Sequence, residues 1–129
     1  MVDKKISILI VDDEKELLEM YREFFETDGF EVTTASSARE GFEAYRNNLD
    51  IRLIISDSTM CGMSGIEFLK ALKAGYQTIP VFYLATGAFE QSEEYIKSLG
   101  GHGLVLKPFD LDEILVKIKK DLKFLNTHG

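Results

Sequence analysis

Three carboxylates and a lysine each stand directly after a short apolar run, and together they could hold a cation and a phosphoryl group. Asp12 and Asp13 follow Ile6-Ser7-Ile8-Leu9-Ile10-Val11, Asp57 follows Leu53-Ile54-Ile55-Ser56, and Lys107 follows Leu104-Val105-Leu106. If those runs are neighbouring parallel strands, their carboxyl ends share the sheet edge where open α/β folds hold ligands. Two carboxylates ~4 Å apart repel by roughly 4 kcal/mol at an effective dielectric of about 20, so three in one crevice call for a cation. An oxygen-only ligand set suits Mg²⁺, which takes one or two carboxylates plus phosphate oxygens and keeps several waters. His102 and His128 are isolated and Cys61 stands apart, so no zinc-type cluster competes. The lysine would act on the phosphoryl oxygens as a point charge.

Taken singly, each group has a plainer reading. Asp12-Asp13-Glu14 could open a helix, where acidic side chains cap amides and complement the dipole. Asp57 could be a turn residue, and Lys107-Pro108 an ordinary connection. The joint pattern, with all four at strand ends in chain order, favours the site.

The elements that must position these residues alternate in period from end to end. Leu17, Leu18, Tyr21, Phe24 and Phe25 recur at helical spacing, and Gly29 is placed to end that helix. Phe30 to Ala35 alternates as a strand, and Ser37 with Glu40 forms a capping-box pattern for a second helix through about Asn47. The run before Asp57 is apolar almost throughout, as strands covered on both faces are. Ser64 with Glu67 starts a third helix that Gly75 ends, and Pro80 opens the strand Val81-Phe82-Tyr83-Leu84. A helix from about Ser92 to Leu99 stops at Gly100-Gly101, and Leu104 to Leu106 is the last strand. Asp110 with Glu113 caps a final helix bearing Leu111, Ile114, Leu115, Ile118, Leu122 and Leu125. Five βα repeats imply an α/β fold with a five-stranded parallel sheet and helices on both faces. No linker divides residues 1–129, which read as a single domain.

Composition bounds the partners. The 129 residues are 45% hydrophobic, enough for one sizeable core. No stretch approaches the ~20 apolar residues that span a bilayer, and the N-terminus does not read as a signal peptide. The single cysteine suits a reducing cytoplasm, and a net charge of -7 argues against non-specific nucleic-acid binding.

These residues resemble the receiver domain of two-component response regulators. The acidic pair Asp12-Asp13, Asp57, and Lys107-Pro108-Phe109 match, and Asp57-Ser58-Thr59-Met60-Cys61-Gly62-Met63-Ser64-Gly65 resembles the family's D-x-x-M-P-x-M-x-G, with Cys61 where proline is usual. The resemblance covers essentially the whole chain. It implies a flavodoxin-like (βα)5 fold with strand order 2-1-3-4-5. It implies that Asp57 is the phosphoacceptor, taking a phosphoryl group from a sensor histidine kinase or a histidine phosphotransfer protein to form an aspartyl phosphate. Asp13 would ligate Mg²⁺ directly, Asp12 mostly through a bound water, and Asp57 and the Thr59 backbone carbonyl would complete the protein ligands. Lys107 would pair with the phosphoryl oxygens, aided by a cis Lys107-Pro108 bond. The domain would be a cytoplasmic signalling module and not an enzyme beyond its own phosphorylation and dephosphorylation, without direct nucleic-acid or membrane contact.

Two positions depart from the family. Counting without gaps puts Ala85 where receivers carry the switch Thr or Ser, and Thr86 at the following small-residue position. Thr86 could substitute only if the strand end bulged by one residue, because successive side chains face opposite ways. Leu104 occupies the position of the usual Tyr or Phe, or is a strand residue packed on the fourth helix. Phosphoryl capture is therefore expected, with a weak or altered conformational response.

Other readings fare less well. An aspartyl-nucleophile phosphohydrolase needs a second acid two residues on, where Thr59 stands. A nucleotide or flavin binder needs a phosphate loop where Asp12-Asp13-Glu14 would repel phosphate. A degenerate receiver acting as a phosphorylation-independent interaction module is the serious alternative. Met60 and Met63 read as loop packing, Cys61 as a small apolar residue, and Tyr83, Phe89 and Tyr95 as packing or a partner surface. Only Asn126 to Gly129 follows Leu125, so the chain is expected to be a stand-alone receiver or one cut from a larger regulator or hybrid kinase.

Overall fold

The computed structural model describes residues 5–87, 92–107 and 110–128, with side chains described through 122. Four expectations lie outside the described residues: the cis Lys107-Pro108 bond, Phe109 of the lysine motif, Phe89, and the packing of the Leu125 side chain. Five strands, β1 (Ser7–Val11), β2 (Glu31–Ala35), β3 (Leu53–Asp57), β4 (Val81–Thr86) and β5 (Gly103–Leu106), pair in parallel in the order β2-β1-β3-β4-β5. The helices α1 (Lys15–Thr27), α2 (Ala38–Asn47), α3 (Gly65–Gly75), α4 (Glu93–Ser98) and α5 (Leu111–His128) alternate with them.

Strand alternation divides the core in two. Ile8, Ile10, Leu53, Ile55, Tyr83 and Ala85 pack with Leu18, Tyr21 and Phe25 of α1 and Ile114, Ile118 and Leu122 of α5. The other face carries Leu9, Val11, Ile54, Phe82 and Leu84 against Tyr45 of α2, Phe68, Leu69 and Leu72 of α3, and Ile96 of α4. A sheet covered on both faces explains why β1, β3 and β4 are buried along their whole length.

The helix termini largely follow their capping residues. Ser64 and Glu67 make a complete capping box for α3. Ser37 accepts from the Glu40 amide, but the Glu40 carboxylate takes the Ser36 amide and hydroxyl and not the Ser37 amide, so the box there is only half formed. Gly29, at φ +94°, turns the chain out of α1 as a left-handed glycine does. Gly75 ends α3, as its position in the sequence indicated. It remains the last helical residue, and α3 ends because Tyr76 is extended at φ -136° and ψ 138°.

Candidate functional site

The loops after β1, β3 and β5 are tied down by ladder hydrogen bonds that run past the strand ends. The Asp12 amide donates to the Ala35 carbonyl at 3.1 Å, Ser58 to Ala85 at 2.8 Å, and Lys107 to Thr86 at 2.8 Å. Asp12 and Lys107 are thereby held directly after β1 and β5, and Ser58 directly after Asp57 at the end of β3. Asp12 also accepts from the Glu14 amide at 2.9 Å, while Glu14, the N-cap residue of α1, makes no side-chain cap bond. Gly65 is required below Asp57. A Cβ there would run into the Asp57 backbone oxygen, so only glycine lets α3 begin so close to the end of β3.

The four charged groups converge. Lys107 Nζ donates to Asp12 Oδ2 at 2.8 Å and lies 3.2 Å from Asp57 Oδ1. One carboxylate oxygen each from Asp12, Asp13 and Asp57 lies within 4.8 Å of the others. Asp12 and Asp57 are buried, whereas Asp13 is exposed at the rim. Burial pushes the Asp57 carboxyl above the usual carboxylate range; the Lys107 charge opposes that, Asp12 reinforces it, and a Thr59 backbone amide bond again opposes it. Burial also depresses Lys107, but hydrogen bonds and charges from Asp12 and Asp57 outweigh it and hold the ammonium above the ordinary lysine value.

Three carboxylates against one ammonium leave two negative charges, which a divalent cation would balance. The donors are all hard oxygens, so the residues fit Mg²⁺. The Thr59 amide bond to Asp57 brings the Thr59 backbone against the same site.

Register fixes how Ala85 and Thr86 lie relative to Asp57. β3 and β4 pair without interruption from Leu53 opposite Val81 to Asp57 opposite Ala85, and β4 pairs with β5 through Thr86 opposite Leu106. No bulge intervenes. Ala85 faces the α1 and α5 side beside Asp57, and Thr86, which is buried, faces the opposite side by strand alternation. Leu104 is half-buried and packs into the cluster that contains Ile96 of α4. Met60 is buried in that same cluster, Met63 and Cys61 are exposed, and Tyr83 is a fully buried core residue.

Sequence reasoning treated Tyr21 only as part of an apolar stripe. The structure places it beside the site. It is buried, lines a groove of about 610 Å³ between α1 and the start of α5 together with Lys107, Asp110 and Leu111, and feels the charges of Lys107, Asp12, Asp57 and Glu14. A hydroxyl within an otherwise apolar helical stripe is the signal that could have marked it.

Known proteins share this fold. The family model described as the response regulator receiver domain matches residues 8–119. The response regulator SaeR of Staphylococcus aureus (strain USA300) is 32% identical over 111 residues, which cover 86% of this chain and 48% of SaeR. The chain thus spans about half the length of the curated relatives it matches. A receiver domain protein from Clostridium thermocellum superposes with a TM-score of 0.87 at 25% identity, over 96% of this chain and 99% of that one. The chemotaxis response regulator CheY4 of Vibrio cholerae superposes at 0.77 with 29% identity, over 91% and 98%. With the matched family model spanning most of the chain and its characteristic residues gathered at one sheet edge, this chain belongs to the response regulator receiver domains of two-component signalling.

Proposed function

We propose that Asp57 is the phosphoacceptor of this receiver and that it takes its phosphoryl group from a phosphohistidine on a sensor histidine kinase or histidine phosphotransfer protein. The observation that carries this reading is the Lys107 ammonium bridging Asp12 and Asp57 within reach of Asp13. An Asp57 carboxylate oxygen forms the new bond to phosphorus as the donor's P–N bond breaks, and the departing imidazole nitrogen keeps the electron pair. Lys107 neutralises the phosphoryl oxygens as they arrive, so this chain contributes positioning and charge compensation. Asp13, Asp57 and the Thr59 carbonyl would hold Mg²⁺ directly and Asp12 through its water; the ion supplies charge neutralisation for the carboxylates and the phosphoryl group. On this reading residues 1–129 are one cytoplasmic receiver domain whose phosphorylation modulates protein partners, with no direct contact to nucleic acid or membrane.

Phosphoramidate, whose P–N bond mimics that of phosphohistidine, provides the test. With Mg²⁺ the protein should consume it, followed by ³¹P resonance, and an acyl phosphate signal should appear. Phosphoramidate left unconsumed would overturn the reading.

One observation favours a second reading. Ala85 offers no hydroxyl beside Asp57, and the unbroken register turns Thr86 away from it. We infer a weak conformational response, and in the limit an interaction module that works without phosphorylation. Amide spectra recorded with and without phosphodonor and Mg²⁺ should then change only near the site. Large shifts throughout β4, α4, β5 and α5 would contradict it.

A further inference from the structure

β5 is a short strand at one edge of the sheet, and a histidine fastens its start to β4. The chain leaves α4 through Gly100, at φ +101°. The Gly100 amide donates to the Lys97 carbonyl and the Gly101 amide to the Ile96 carbonyl, both at 3.0 Å. That pair of bonds is a Schellman turn, which commits both glycines to closing the helix. His102, next in the chain, bonds to β4 one residue before β5 begins with Gly103 opposite Tyr83.

His102 holds Phe82 by both of its backbone polar groups. The His102 amide donates to the Phe82 carbonyl at 2.7 Å, and the Phe82 amide donates to His102 Nδ1 at 3.4 Å. The ring nitrogen thus continues the ladder beyond the point where the strand itself starts. Phe82 is fully buried, so its amide has no water to turn to when that acceptor is lost.

A ring nitrogen that accepts an amide proton cannot carry one of its own. The bond therefore places the imidazole proton on Nε2 and requires a neutral ring. In the imidazolium both nitrogens are donors, and an Nδ1–H would face the Phe82 N–H, donor against donor. Burial disfavours the imidazolium most and holds the ring below the ordinary histidine value. Asp121 of α5 favours the charged ring and Lys97 of α4 disfavours it. The Asp121 carboxylate also accepts from the Tyr83 hydroxyl.

We propose that His102 is an acid-sensitive latch on the β4–β5 junction: its neutral ring holds the start of the edge strand, and a proton on Nδ1 releases it together with the exit of α4. The latch lies at the opposite end of β5 from Lys107 and does not depend on the phosphoacceptor reading.

Long-range ¹H–¹⁵N spectra of the protein at neutral pH should show the His102 ring as the Nε2–H tautomer, and His102→Asn, which removes the signal, assigns it. An Nδ1–H tautomer would overturn the proposal. As the ring titrates between about pH 7 and about pH 5, the Phe82 amide should lose roughly tenfold in hydrogen-exchange protection, taken relative to the intrinsic rate at each pH. The amides of β1 and β3 should keep theirs. His102→Asn puts an amide oxygen at the Nδ1 position and has no titratable group, so its Phe82 amide should stay protected across that range. His102→Leu offers no acceptor and should show reduced protection throughout. A Phe82 amide indifferent to the ring's titration, a ring that stays neutral until the protein unfolds, or wild-type protection in His102→Leu would each overturn the latch. So would an equal loss across β1 and β3, or a wild-type pH dependence in His102→Asn.

Discussion

Lys107 occupies the position that an incoming cation and an incoming phosphoryl group would both contest. Its ammonium holds Asp12 and Asp57 together at 2.8 and 3.2 Å, so its removal leaves two buried carboxylates facing each other. Lys107→Met should cost about 2 kcal/mol without metal, below the full penalty for a broken buried pair because the site opens to water on one side. Mg²⁺ should then stabilise the variant more than wild type, since the ammonium no longer competes for the carboxylates. Urea unfolding with and without Mg²⁺ checks both statements. Asp12, Asp13, Asp57 and Lys107 were legible in the sequence because charge directly after an apolar run is a strong, local pattern. The side on which Thr86 faces was not, since it depends on whether β4 keeps register with β3 and β5, a non-local fact. Tyr21 was hidden for another reason: tyrosine fits a buried helical stripe whether or not its hydroxyl has work to do.

The elements are held where their junctions are tight, and α3 shows this most sharply. Gly65 lets its first turn press against the Asp57 backbone, and Ser64 with Glu67 closes its end. Gly65→Ala should cost about 2–4 kcal/mol, because the added Cβ meets the Asp57 backbone oxygen, which cannot move aside, as well as the Leu84 side chain. Ser64→Ala should cost about 1 kcal/mol through the lost cap. Thermal or urea unfolding separates the two, and a Gly65→Ala variant as stable as wild type would contradict the close approach. Alternating periods and capping residues made the elements readable. Gly75 correctly marked the end of α3, and the chain leaves it through an extended Tyr76. Glu40 misled by one residue, since its carboxylate reaches Ser36, which also offers a hydroxyl.

For the whole molecule, acid response combines groups of opposite sign. Burial lifts the Asp57 carboxyl above its usual value, so the native state favours its protonated form; that stability is present below the ordinary carboxylate range and is lost as pH rises through the raised native value. Asp57→Asn should therefore be more stable than wild type at neutral pH, with the gain shrinking as pH falls into the carboxylate range. Burial holds His102 below its usual value, with Asp121 opposing and Lys97 reinforcing, so its contribution is present above the ordinary histidine range and is lost as pH falls toward the depressed native value. His102→Gln should flatten the stability curve in that weakly acidic window, as urea midpoints across pH would show. The parallel sheet and two-faced core were legible from the repeated βα alternation, while the strand order came from the family resemblance, because periodicity does not specify which strands are neighbours. Two surplus negative charges at one sheet edge, beside an ammonium, remain the feature that links fold to signalling. The most direct measurement is the intact mass of the protein after treatment with phosphodonor, with Mg²⁺ or with chelator, alongside Asp57→Asn. A single phosphoryl adduct that requires Mg²⁺ and vanishes in Asp57→Asn is the predicted result; no adduct, or an adduct that persists in Asp57→Asn, would contradict the assignment of Asp57.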